Sequence, residues 1–139
     1  MWNYCPIEGG ITSTLVKLSF LLASLFSTAY CCGEDIFMPG KLAYIQCTGC
    51  HTPEQNRAGP LHCGILGRQA GSVSNYEYSS AMKASGIVWT RANLDRFLKS
   101  PLTMVPGTSM GFNGISSPIE RENLIDYLAT LNNSNELCP

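Results

Sequence analysis

Apolar residues recur at helical spacing in four stretches of the chain and crowd together without that spacing in a fifth. From Arg91 to Lys99 the side chains of Leu94, Phe97 and Leu98 fall on one face. Thr90 stands where an N-cap residue accepts a backbone N–H, and Pro101 stops the run. The longest pattern follows Ser117-Pro118-Ile119-Glu120, which joins a capping box to a proline at the first helical position, and Leu124, Tyr127, Leu128 and Leu131 continue it. A short helix is predicted over Lys41–Gln46, where Pro39 and Gly40 mark the start and Leu42 and Ile45 are spaced to share a face. Another is predicted over Ser79–Ala84, ended by Gly86. Beyond residue 33 nothing reads as a sheet, and there is no internal repeat, so the fold class is all-α with four to five helices and long loops.

The crowded stretch, Leu18 to Tyr30, follows Lys17 and leads through small residues into the polar Gly33-Glu34-Asp35. It is short for a membrane span and resembles a secretory signal, with a cut after Ala29 or Cys31; a retained short anchor is the alternative. Glu8 and the lack of a basic residue before Lys17 are unusual for the start of such a signal, so a translation start near Val16 is a candidate. The expected organisation is a leader over 1–32 and one domain over 33–139.

From Thr52 to Asn75 the chain is rich in Gly, Pro, Asn, Ser and Gln without sustained periodicity. A loop of that length in a small domain needs something large to wrap. Charge narrows the partners: a formal net charge of −1 leaves neither the basic footprint of a nucleic-acid binder nor a polybasic membrane patch.

Residues 47 to 51 read Cys-Thr-Gly-Cys-His. Two thiols at this spacing add across the two vinyl groups of a haem, and the imidazole directly after the second reaches the iron, so a covalently held haem is predicted. Export agrees with this, since such attachment takes place outside an energy-transducing membrane. An apolar porphyrin would complete a modest core, and the apo chain should be poorly folded. A thioredoxin-like dithiol would need a βαβ unit, and a zinc site a second Cys or His pair; neither pattern exists.

His51 holds one face of the iron, and the ligand on the other face separates an electron carrier from a catalyst or gas sensor. Among the five methionines Met110 stands apart, in the extended Val105-Pro106-Gly107-Thr108-Ser109-Met110, where Pro and Gly fix the path and the thioether can be aimed. Met82 and Met104 lie on or beside helices, where core filling is the ordinary role.

An ordered set of features now resembles mitochondrial-type class I cytochrome c and its close bacterial relatives. Besides the haem string it comprises Gly59-Pro60 with Gly64-Ile65-Leu66-Gly67-Arg68, Tyr78 with Gly86-Ile87-Val88-Trp89, Pro106 to Met110 with Phe112, and the closing Glu120 to Leu128. The resemblance covers essentially residues 40–131 and implies the small cytochrome c fold. It assigns Cys47 and Cys50 to thioether bonds, His51 and Met110 to the iron, and the Pro60 carbonyl to the His51 ring N–H. Arg68, Tyr78, Trp89 and Thr108 match residues around the haem propionates.

Two departures stand out. Where the family carries a tyrosine hydroxyl and an asparagine near the axial methionine, this chain has Phe97 and Met82, which implies a drier pocket and a displaced potential. The lysines that ring the haem edge in mitochondrial examples are replaced by residues such as Leu102, Thr103 and Ser109, so docking is expected on an apolar rim of Leu102, Met104, Phe112 and Ile115. Cys63 and Cys138 can bridge each other in an oxidising compartment, remain thiols, or link two molecules.

The expected function is a monomeric one-electron carrier, not an enzyme, between membrane complexes such as a cytochrome bc-type complex and a terminal oxidase or reductase, with transient contact to the membrane surface. The expected site is the bacterial periplasm, or alternatively the mitochondrial intermembrane space. The alternative function, a haem peroxidase or small-ligand sensor, requires Met110 to leave the iron.

Overall fold

Five α-helices and one 3₁₀ turn form among the described residues, 38–138, of the computed structural model. These residues all belong to one unit, Gly33–Pro139; the expected leader, with Cys31 and Cys32, lies outside the described residues. In order, α1 is Pro39–Tyr44, followed by the turn Ile45–Cys47, α2 is Ser80–Lys83, α3 is Arg91–Lys99, α4 is Pro101–Met104 and α5 is Pro118–Thr130. The only pairing of extended chain among the described residues is an isolated antiparallel bridge between Gln69 and Val88. No helix among them is long and apolar enough to cross a membrane.

The last helix is the one against which α1 and α3 pack. Ser117 caps α5 by accepting the Glu120 N–H at 3.3 Å, as expected, but the Glu120 carboxylate does not close the box. It accepts instead from the Gln46 amide at 3.1 Å, joining α5 to the turn after α1. Leu124, Ile125, Tyr127, Leu128 and Leu131 are buried, so the apolar stripe read from the sequence faces the core.

Helix α1 crosses α5 at Gly40, where an added Cβ would sit 2.7 Å from the Tyr127 Cβ. Only the smallest residue permits that approach. The same closeness corrects the expected inner face: Gly40, Ala43 and Tyr44 are buried, while Leu42 and Ile45 are 53% and 61% exposed. Those two do share a face, but it is the solvent face, because the close approach at Gly40 turns the side of α1 that carries Gly40, Ala43 and Tyr44 toward α5. The helix also stops at Tyr44, and the chain tightens into the 3₁₀ turn that presents Cys47.

Thr90 caps α3 by accepting the Asn93 N–H at 3.1 Å, and Leu94, Phe97 and Leu98 are buried, as the pattern predicts. Pro101 ends α3 and at once begins α4, a four-residue helix that the periodicity does not announce because it is shorter than two turns. Arg121, 5% exposed, fastens α5 to α3: its Nε donates to the Asp95 carboxylate at 2.7 Å, and its guanidinium donates to the carbonyls of Ile115 and Ser116 at 2.9 and 3.0 Å. Ile115 is drawn inward by this and by its N–H bond to the Leu98 carbonyl at 2.8 Å. It is 4% exposed and belongs to the core, not to the expected docking rim.

The region from Thr52 to Asn75 forms no helix, in line with the loop reading. It is held at its margins: the Gly64 N–H donates to the Leu131 carbonyl at 2.7 Å, and Cys63 is disulfide-bonded to Cys138, of the three open alternatives the intramolecular one. The bond spans a sequence separation of 75 residues. Constraint of the unfolded chain by a loop of this size is worth about 2–5 kcal/mol. A Cys63→Ser/Cys138→Ser variant is expected to lose stability of that order in guanidinium unfolding, while retaining its visible haem spectrum; an unchanged midpoint would show the bridge to be thermodynamically idle.

Candidate functional site

A cavity of about 340 Å³ opens between the loop after α1 and the segment before α5, and its wall gathers residues from 46 to 128. Cys47, Cys50, His51 and Met110 all line it. Cys47 ends the 3₁₀ turn, and the Cys50 and His51 N–H groups donate back to its carbonyl at 3.1 and 2.9 Å. That local winding brings both thiols and the imidazole to one side of the chain. Burial, then the neighbouring Cys50, pushes the Cys47 thiol up to about 11, so it stays protonated near neutrality.

His51 is buried, and its Nδ1–H donates to the Pro60 carbonyl at 2.7 Å. A carbonyl only accepts, so this bond fixes the tautomer and leaves Nε2 with its lone pair. Burial lowers the imidazole's affinity for a proton and so favours the neutral form that a metal requires, while the Pro60 contact opposes this shift. Gly59 makes the arrangement possible: an added Cβ there would lie 2.5 Å from both His51 ring nitrogens. The Met110 backbone N–H donates to the Thr108 hydroxyl at 3.3 Å, pinning the segment that carries the thioether.

The remaining expected pocket residues also reach this wall. Pro60, Arg68, Tyr78, Trp89, Phe97 and Thr108 line the cavity with Phe112, and Trp89 packs on Phe97 with ring centroids 5.0 Å apart. Arg68 donates to the carbonyls of Leu61 and Cys63, both at 2.8 Å, so one role of its guanidinium is to brace the loop. Met82 and Phe97 are buried in the wall, apolar as expected at those places. The lining is dominantly apolar, with a neutral imidazole, a thioether and two thiols converging on it. This donor set and shape fit a porphyrin held through its edge and its iron. No cluster of three or more His, Cys, Asp or Glu that would hold a bare metal ion occurs among the described residues.

Sequence reading left Tyr76 and His62, among others, out of the wall. Tyr76 donates its hydroxyl to the Ala58 carbonyl at 2.7 Å, closing the loop beside the cavity. His62 stacks on His51 with ring centroids 4.3 Å apart and an interplanar angle of 19°, and shares a 3.0 Å hydrogen bond with the Tyr44 hydroxyl. Burial, then His51 and Arg68, holds His62 well below the ordinary histidine range. No periodicity or motif marks either residue, since each acts across the loop.

Fold and site together define a small helical haem protein of the c type. No family model matches the chain. It is 36% identical over 120 residues to a cytochrome c2 of Rhodomicrobium vannielii, covering 83% of this chain and 94% of that protein. It is 43% identical over 93 residues to cytochrome c-550 of Nitrobacter winogradskyi, with coverages of 65% and 85%. Among solved structures, cytochrome cH from Methylobacterium extorquens superposes with a TM-score of 0.65 at 41% identity, covering 66% of this chain and 95% of that one. The chain belongs to the class I cytochrome c family. It carries one covalently attached haem c and serves as an electron carrier, not an enzyme.

The apolar pair Phe97 and Met82 leaves the cavity wall without the hydroxyl and amide of the expected family pattern. Phe97→Tyr is expected to shift the midpoint potential and the haem absorbance, because a new hydroxyl beside the site needs a hydrogen-bond partner there. An unchanged potential and absorbance would refute the dry-pocket reading.

Proposed function

We propose that Cys47 and Cys50 carry the thioether bonds of the haem and that His51 and Met110 are its axial ligands. The observation that supports this most is convergence: all four line one apolar cavity, and His51 has its Nδ1–H committed to Pro60. Bound haem supplies one-electron ferrous/ferric chemistry. A neutral imidazole and a soft thioether favour the ferrous state, and the apolar wall disfavours added positive charge, so a high potential follows. With both ligands held by the fold, the coordination changes little on electron transfer and reorganisation stays small. Arg68, Tyr78, Trp89 and Thr108 line the same cavity, in keeping with a role for their polar atoms toward the propionates.

The protein works with redox partner proteins. We assign those partners to a cytochrome bc-type complex and a terminal oxidase or another reductase of a respiratory or photosynthetic chain, reached after export, in bacteria to the periplasm. From Gly33 onward there are eight basic and nine acidic side chains, so long-range steering to an acidic partner is weak. Leu102, 51% exposed, with the half-buried Met104 and Phe112, offers an apolar docking rim without Ile115.

Met110→Ala is expected to abolish the Met–iron charge-transfer band, lower the midpoint potential and let cyanide bind the ferric protein readily. Retention of the band would remove Met110 from the iron. Electron transfer to a purified oxidase is expected to change by less than about threefold between ~0.01 and ~0.15 M ionic strength; a steep fall would restore charge steering.

A further inference from the structure

We propose that His62, held by Tyr44, is a positioning residue that sets the rotational orientation of the His51 imidazole; this rests on the axial role proposed above for His51. The need for such a residue is general. The outer torsion of a histidine is soft, so neighbours must decide the plane of its ring. The Pro60 carbonyl holds one edge of His51 at 2.7 Å, but a single hydrogen bond permits rocking about its own axis. A second, nearly parallel ring 4.3 Å away blocks that motion.

His62 is itself tightly held. Its backbone N–H donates to the Pro53 carbonyl at 3.0 Å, and Arg68 braces the carbonyls of Leu61 and Cys63 on either side of it, both at 2.8 Å. Cys63 is tied to Cys138. The His62 ring is fixed at Nδ1 by the Tyr44 hydroxyl at 3.0 Å, and Tyr44 packs on Tyr127 with ring centroids 4.9 Å apart. An aromatic column therefore runs from α5 through α1 to the axial imidazole. A side chain that only filled volume would need neither the hydrogen bond nor the near-parallel stack.

The test compares the full-length ferric holoprotein with Tyr44→Phe, which removes one hydroxyl, and His62→Leu, which removes the flat ring. The readouts are the hyperfine-shifted haem methyl resonances, whose spread follows the axial imidazole plane, and the midpoint potential. Both variants are expected to shift the methyl pattern, His62→Leu further than Tyr44→Phe, and His62→Leu to shift the potential. Ile115→Val, a core change outside the column and outside the cavity wall, is expected to lower stability and leave the pattern unaltered. Wild-type methyl shifts in either variant overturn the positioning role; should His62→Leu fail to take up haem, Tyr44→Phe decides alone. A wild-type protein without low-spin, hyperfine-shifted methyl signals would instead overturn the axial role of His51.

Discussion

The close crossing of α1 over α5 at Gly40 is the contact on which the rest of the molecule depends. It brings the first and last helices together without an intervening side chain, and the haem string begins three residues after α1 ends. From that crossing Tyr44 reaches both Tyr127 on α5 and His62 in the loop, and His62 reaches His51. The position of the His51 imidazole is thus tied to helix packing by direct contact.

A second consequence concerns the loop from Thr52 to Asn75. Without a helix its backbone groups need other partners, and they find them in backbone groups elsewhere and in specific side chains. Arg68 takes two carbonyls and Tyr76 one, while the Asn56 carboxamide oxygen accepts the Leu61 N–H at 3.1 Å. Among the described residues no buried side-chain nitrogen or oxygen is left without a partner. The loop is therefore a defined wall for the cavity, and the Cys63–Cys138 bridge fastens that wall to the C-terminal end.

The wall's polarity accounts for the chemistry. Apart from its polar rim residues the cavity presents aliphatic, aromatic and sulfur surface, including Met82 and Phe97 deep in the lining. Such surroundings disfavour net positive charge, so they act on potential in the same direction as the thioether ligation proposed for Met110. Near-neutral overall charge and an exposed Leu102 are the features that support the proposed docking by short-range apolar contact.

Much of this was legible in the residues. Cys47, Cys50 and His51 declare covalent haem attachment by spacing alone, and the helices over 91–99 and 118–130 follow from period and capping chemistry, because those signals are local. That residues from Pro60 to Phe112 line one cavity was legible through their ordered resemblance to a family. What the tertiary structure decided is non-local: that Leu42 and Ile45 face water, that Ile115 is core, that Cys63 meets Cys138, and that His62 lies against His51. Spacing can tell which side chains share a face, but only packing determines which face is buried and which distant rings touch.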